Sequence, residues 1–304
     1  MKIFVTGATG FIGSHLVKRL LEDKHDVVCY VRNLERARKR LGSKPELLGT
    51  TIFQNHLIKV IEGCDVVINL AGEPIVKRWT KKNKKDIYNS RIDITTKLIR
   101  AIESCKTPPR TFISSSAVGF YGNRRDEVLT ESSHKSSGWL SHLCNQWEKA
   151  SFPSHPEKLI PTKVVNLRTG IVLGNGGALK KMLLPFKLGL GGNLGTGEQW
   201  MPWIHIDDMI NIIIESISND NIYGPVNCVA PMPVKNKTFT KELGSVLKRP
   251  TIFPVPSFIL KIIFGEGACV LLDSQKVRPR KLLRSGFNWK FSSLSEALEN
   301  LVRK

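Results

Sequence analysis

The 304-residue sequence predicts an α/β fold, a doubly wound parallel sheet with a smaller, mostly helical C-terminal lobe. Three observations predict it. The chain opens on a strand, a glycine loop and an amphipathic helix in that order, "KIFVTGATGFIGSHLVKRLLE". Short apolar runs then alternate with helical patterns as far as Gly170. Past Gly170 the alternation stops, glycines crowd "GNGGALKKMLLPFKLGLGGNLGTGEQW", and helical pieces continue to the end.

The elements follow in order. "KIFVTG" is the first strand, and its helix covers Phe11–Glu22. "DVVCYV" is the second strand, followed by a short helix at "LERARKRL" and a weak third strand at "TTIFQ". "DVVINLAG" is a strong fourth strand, and the long helix after it runs through "NSRIDITTKLIRAIESC". "RTFISSSA" is a fifth strand, "GWLSHLCNQWEKA" holds a helix, and "TKVVNLRTG" is the next strand. "PVNCVA", near 225–230, rejoins the sheet. The expected organisation is a dinucleotide-binding domain over 1–170, rejoined by about 205–230, and a lobe built from 171–204 and 231–304. A pocket between lobe and sheet is the natural substrate site.

Composition narrows the classes. Hydrophobic residues make up 41% of the chain, enough for one large domain with a lobe. The longest apolar runs, "MINIIIESI" and "FILKIIFG", are too short for a membrane span. The first strand begins at residue 2, so no leader sequence is expected. Six scattered cysteines form no C-x-x-C pair, so neither zinc nor a disulfide framework is indicated. A reducing, cytoplasmic location is expected, with a mitochondrial one lacking a cleavable presequence as the alternative. The net charge of +20 gathers in "RARKR", "KRWTKKNKK" and "KVRPRKLLR". Solvated surface is the plain reading, and a phosphate-rich cofactor needs only one such cluster. Nucleic acid would want a continuous basic stripe interleaved with aromatics, which is missing, so none is expected as a partner. A homodimer is one assembly these features allow.

"VTGATGFIG" sets Gly7, Gly10 and Gly13 between strand and helix, as a Rossmann-type dinucleotide site requires. Gly7 allows the tight turn, Gly10 lets backbone N–H groups approach a pyrophosphate, and Gly13 lets helix and strand pack closely. The helix N-terminus then favours the phosphates. The second strand ends in "CYVRN", with Arg32 where an NAD site usually places an acid. A guanidinium suits a ribose 2′-phosphate, so NADP(H) is the expected cofactor.

At this point the sequence resembles a known group. "TGATGFIGSHL", "DVVINLAG", "SSSAVGFYG" and "HIDDM" look like an atypical extended short-chain dehydrogenase/reductase of the NAD(P)-dependent epimerase/dehydratase superfamily. "INLAGEPI", "LCNQWEKA", "LGTGEQWMPWIHIDDM" and "GFNWKFSSLSEAL" resemble its epimerase-family subgroup 39U along essentially the whole chain. The resemblance implies that Gly7, Gly10, Phe11, Ile12 and Gly13 form the phosphate loop, and that Val31 and Arg32 border the adenosine ribose. It places Leu70 and Ala71 along the cofactor, Arg91 within reach of it, and Val172 near its nicotinamide end.

That superfamily works with a tyrosine and, four residues on, a lysine on one helical face. Here the four tyrosines are followed at that spacing by Leu34, Ile92, Arg125 and Asn227, so the pair is absent. The resemblance aligns Leu140 with the tyrosine and Cys144 with the lysine. Cys144 reads as a buried, inert thiol unless something lowers its pKa. Ser116 and Tyr121 remain as candidate proton-handling groups, Tyr121 being equally readable as pocket wall. Asp207 and Asp208 stand where carboxylates cap a helix, His205 precedes them, and Arg168 would meet an anionic substrate or pair with an acid. The expected function is NADP(H)-dependent hydride transfer to or from the CH–OH or carbonyl group of an unidentified small molecule. The alternative is a non-catalytic NADP(H)-binding redox sensor or assembly protein.

Overall fold

The structure, a computed structural model, describes residues 1–153 and 161–302. The chain begins β1 (Lys2–Thr6), α1 (Phe11–Glu22), β2 (Asp26–Val31), α2 (Leu34–Leu41), β3 (Glu46–Gly49), α3 (Gln54–Glu62), β4 (Val66–Asn69), α4 (Lys81–Glu103) and β5 (Thr111–Ala117). A 3-10 turn, Val118–Tyr121, and β6 (Val128–Leu129) lead to α5 (Trp139–Ala150) and β7 (Lys163–Thr169). Then come β8 (Ile171–Leu173), α6 (Gly177–Lys187), β9 (Trp200–Met201), β10 (Trp203–His205), α7 (Ile206–Ser218) and β11 (Gly224–Cys228). The remainder is β12 (Val234–Lys235), α8 (Asn236–Leu247), α9 (Ser257–Phe264), α10 (Cys269–Leu272), β13 (Lys276–Val277), α11 (Arg280–Arg284) and α12 (Leu294–Val302).

The main sheet has seven strands in the order β11-β7-β5-β4-β1-β2-β3, and every neighbouring pair is parallel. The expected doubly wound α/β fold is borne out. Strand pleating sends alternate residues to opposite faces. Ile3 and Val5 of β1 join Leu16 and Leu20 of α1 and Met209 and Ile213 of α7 on one face. Phe4 joins Leu57 and Ile61 of α3 and Leu98 and Ile102 of α4 on the other. Both faces are therefore covered, as parallel sheets require. Strand order reverses at β1 and β4, which opens a crevice beyond their carboxyl ends.

A separate core holds the lobe together. Leu179 and Phe186 of α6 pack with Phe239 and Leu243 of α8 and with Leu294 and Leu298 of α12. No helix among the described residues is long and apolar enough to cross a membrane.

Two local expectations change. The third strand is Glu46–Gly49, not "TTIFQ": Thr50 and Thr51 turn away, and Phe53 is exposed as the N-cap of α3. The α7 carboxylates do not cap their own helix. His205 is its N-cap, its Nδ1 accepting from the Asp207 N–H at 3.0 Å. Asp208 is fully buried and accepts from the N–H groups of Lys290 at 2.7 Å and Phe291 at 3.0 Å. Asp208 thus fastens the segment before α12 to the start of α7.

Candidate cofactor crevice and substrate cavity

The crevice begins at the glycine loop. Gly7 has φ +68, and a Cβ there would lie 2.4 Å from the Leu70 carbonyl oxygen and 2.8 Å from the Ala71 nitrogen. A Cβ on Gly13 would lie 2.2 Å from the Gly7 carbonyl oxygen. These contacts press the loop against the end of β4 and α1 against the loop. Gly10 is the N-cap of α1, with no side-chain cap and no acidic residue in the first turn. The first N–H groups of α1 therefore face the crevice uncompensated, with the positive end of the helix dipole behind them. Below the loop, Thr6 donates to Asn69 Oδ1 at 2.6 Å, Asn69 donates to Thr95 at 2.8 Å, and Trp147 Nε1 donates to Thr95 at 3.1 Å. This buried chain of bonds ties β1, β4, α4 and α5 into one floor.

Val31 is buried at the end of β2. The Arg32 side chain beside it is 83% exposed and pairs with Glu73 Oε1 at 2.9 Å. Since β1 lies between β2 and β4, that ion pair spans the mouth of the crevice.

Next to the crevice is a cavity of about 500 Å³. Phe11, Ile12, Arg91, Ser116 and Val172 all line it. Gly7, Gly10, Gly13, Val31, Arg32, Leu70 and Ala71 do not, and belong to the crevice instead. The Phe11 ring lies against Gly174, Gly176 and Gly177, where any Cβ would come within 2.9 Å of it. That packing accounts for the glycine-dense turn and seats the lobe on the glycine loop. Arg91 is nearly buried and donates to the Glu73 carbonyl at 3.0 Å and the Ile87 carbonyl at 3.1 Å. Its guanidinium lies 5.0 Å from the Trp147 ring centre.

Ser116 and Tyr121 do not act together at this surface. The Ser116 hydroxyl donates to Glu148 Oε1 at 2.7 Å. Tyr121 has no exposed surface, does not line the cavity, and donates to Asn227 Oδ1 at 2.7 Å while accepting from Arg168 Nη1 at 2.9 Å. Burial pushes its phenol up to about 12, against the opposing pull of Arg168. The Tyr121 hydroxyl is therefore buried in a network with Asn227 and Arg168 rather than on the cavity wall.

The network centre was not foreseen in full. Arg168 and Glu148 form a bidentate pair, Nε to Oε1 and Nη2 to Oε2, both 2.8 Å. The guanidinium also stacks 3.6 Å from the Phe120 ring centre. Burial works against the Arg168 charge, but Glu148 and Tyr121 together outweigh it and its pKa is raised. Cys144 is buried among these groups, and desolvation pushes its thiol up to about 12, so it is inert. Leu140 packs on Gly119. His205 lies outside the cavity, its ring 3.9 Å from that of Phe291. Among the described residues no group of three or more His, Cys, Asp or Glu is placed to hold a metal.

A parallel sheet of this order, a glycine loop at its switch point and a cavity roofed by a C-terminal lobe define the extended short-chain dehydrogenase/reductase architecture. The family model described as "NAD dependent epimerase/dehydratase family" matches residues 3–228, so the chain belongs to that family. A "Domain of unknown function (DUF1731)" matches residues 255–301. The chain is 38% identical to the "Epimerase family protein SDR39U1 homolog, chloroplastic" of Arabidopsis thaliana, over 100% of this chain and 87% of that protein. It is 38% identical to the "Epimerase family protein YfhF" of Bacillus subtilis, over 99% of this chain and 98% of that one. The crystal structure of human epimerase family protein SDR39U1 (isoform 2) with NADPH is similar at a TM-score of 0.90, with 33% identity over 100% of both chains. The resemblance to subgroup 39U is borne out.

Proposed function

We propose that this protein is an NADP(H)-dependent oxidoreductase that transfers hydride to or from an unidentified small molecule held between the sheet and the lobe. The observation that carries the reading is the glycine loop opening, through Phe11 and Ile12, onto a cavity that Ser116 and Val172 also line. The residues present fit a dinucleotide. Side-chain-free space at Gly7 and Gly13 and an uncapped α1 suit a pyrophosphate, and Arg32 stands where a 2′-phosphate would lie. The NADPH-bound human relative supports the same assignment.

When bound, the cofactor supplies a hydride. Gly7, Gly10, Phe11, Ile12 and Gly13 hold its phosphates, and Val31 and Arg32 its adenosine side. Leu70 and Ala71 hold its middle through backbone, Arg91 closes over it, and Val172 backs the nicotinamide. The lobe excludes water. Ser116, whose proton goes to Glu148, presents an acceptor to a substrate hydroxyl. We read residues 1–170, rejoined by about 205–230, as the cofactor unit and 171–204 with 231–304 as the substrate lobe, and we place the protein in a reducing compartment, the cytoplasm by default.

A second reading is a non-catalytic NADP(H)-binding sensor or assembly protein. It is favoured by Leu140 and the buried Cys144 where the tyrosine and lysine would stand. NADPH consumption at 340 nm against a broad panel of carbonyl compounds separates the two. Turnover is expected. Tight NADPH binding with no turnover on any compound would favour the sensor. Arg32→Asp should shift preference towards NADH, and unchanged NADPH affinity in that variant would remove Arg32 from the site.

A further inference from the structure

We propose that Asp273 is the proton donor and acceptor of this site, in place of the missing tyrosine, and that the substrate is a carbonyl compound with a largely apolar body. The proposal rests on the oxidoreductase reading above. Asp273 follows α10, its N–H donating to the Cys269 carbonyl at 2.9 Å. Asp273 lines the same cavity as Ser116 and Val172, and its side chain has no hydrogen-bond or ion-pair partner among the described residues. Desolvation by the surrounding walls pushes it up to about 6. A group titrating there can both give and take a proton near neutrality.

The other candidates on the walls are committed elsewhere. Ser116 gives its proton to Glu148, and Glu73 is held by Arg32. Arg91 cannot act as an acid, and burial pushes the Cys269 thiol up to about 12. A second cavity, about 610 Å³, shares Cys269 and Asp273 with the first. It gives Asp273 a route to water that does not pass the substrate. The charged and titratable groups facing these two spaces with Asp273 are Cys269, Glu266 and Lys261 on the C-terminal segment, and Glu73 and Arg91 on the sheet side.

Ile75, Val76, Leu140, Met182, Met201 and Val270 give this cavity apolar wall. With two carboxylates present and the Arg91 guanidinium already donating to backbone carbonyls, an uncharged substrate fits better than a diphosphate sugar. In the reducing direction the carbonyl carbon gains a hydride and its C–O π bond opens. The oxygen takes the Asp273 proton and the alcohol forms. NADPH is oxidised to NADP⁺ as the carbonyl is reduced by two electrons. Asp273, left as a carboxylate, regains a proton from water in the second cavity.

The test compares wild type, Asp273→Asn and Asp273→Glu by three readouts. The first needs no ligand. A carboxyl raised in the folded state binds more protons there than in the unfolded chain, so wild-type stability falls as pH rises from the ordinary aspartate range through about 6. Asp273→Asn removes that fall, and its Tm should exceed that of wild type above pH ~6 but not below pH ~4. Identical pH dependence in the two proteins would overturn the proposal. The second is NADPH fluorescence titration, in which all three should agree within about two-fold; lost binding would mark Asp273 as structural. The third is turnover with the carbonyl panel. Wild-type kcat for reduction should decline above pH ~6, and Asp273→Asn should lower it about 10²-fold or more with a flat profile and little change in KM. Asp273→Glu should restore part of it. Turnover that survives Asp273→Asn unchanged overturns this role alone. No turnover by wild type with any compound overturns the oxidoreductase reading and this role together.

Discussion

Gly7 and Gly13 leave space that no other residue could leave, and the chemistry of the crevice depends on it. Gly7→Ala would force a Cβ into the Leu70 carbonyl at a positive φ. A cost of about 2 kcal/mol or more is expected, with loss of NADPH binding measured by fluorescence titration. Glu73→Gln acts in the opposite direction. It frees Arg32 from a pair worth at most ~1 kcal/mol, so NADPH should bind up to about five-fold more tightly while NADH affinity stays the same. Unchanged NADPH affinity would mean that the pair does not compete with the ribose phosphate. At this scale the sequence was legible wherever a residue type has only one use. Glycines between a strand and a helix, and an arginine in the place of an acid, speak locally. Arg168 was readable as the partner of some acid, but Glu148 sits 20 residues away on a different element. Asp273 carries no motif, because its character comes from walls contributed by distant segments.

At the scale of the element, α5 shows how a single carboxylate can hold a helix in place. Ser116 on β5 and Arg168 on β7 both bind Glu148, so the helix is fastened to two strands by one carboxylate. Glu148→Gln would leave a buried guanidinium without its counter-charge, and a loss of about 3–5 kcal/mol is expected by denaturant unfolding. A loss under 1 kcal/mol would show that the pair is dispensable. At the start of α7, Asp208→Asn should cost ~1–3 kcal/mol, because an amide cannot accept from both the Lys290 and Phe291 N–H groups. Hydrogen exchange should show the loss concentrated in α12. Element boundaries were readable where apolar periodicity was long, as in α1, but α4 begins at Lys81 behind its Thr80 cap, well before the apolar pattern that starts at Asn89. They failed at β3, and α3 was not read at all. The β-branched run at Thr50–Ile52 looked more strand-like than "ELLG", whose pairing depends on the register set by β2.

At the scale of the whole molecule, the net charge of +20 opposes compaction. Raising NaCl from about 0.01 M to 0.15 M should therefore raise Tm, since screening shortens from about 30 Å to about 8 Å. A fall would show that favourable surface pairs dominate instead. The lobe core has another consequence, for the chain as it leaves the ribosome. Phe186 and Leu179 must wait for Leu294 and Leu298, roughly a hundred residues later, before their apolar face is covered. At common synthesis rates that is on the order of ten seconds with a sticky surface uncovered. A nascent polypeptide stalled near residue 230 should hold a folded sheet and still bind a holdase chaperone at α6.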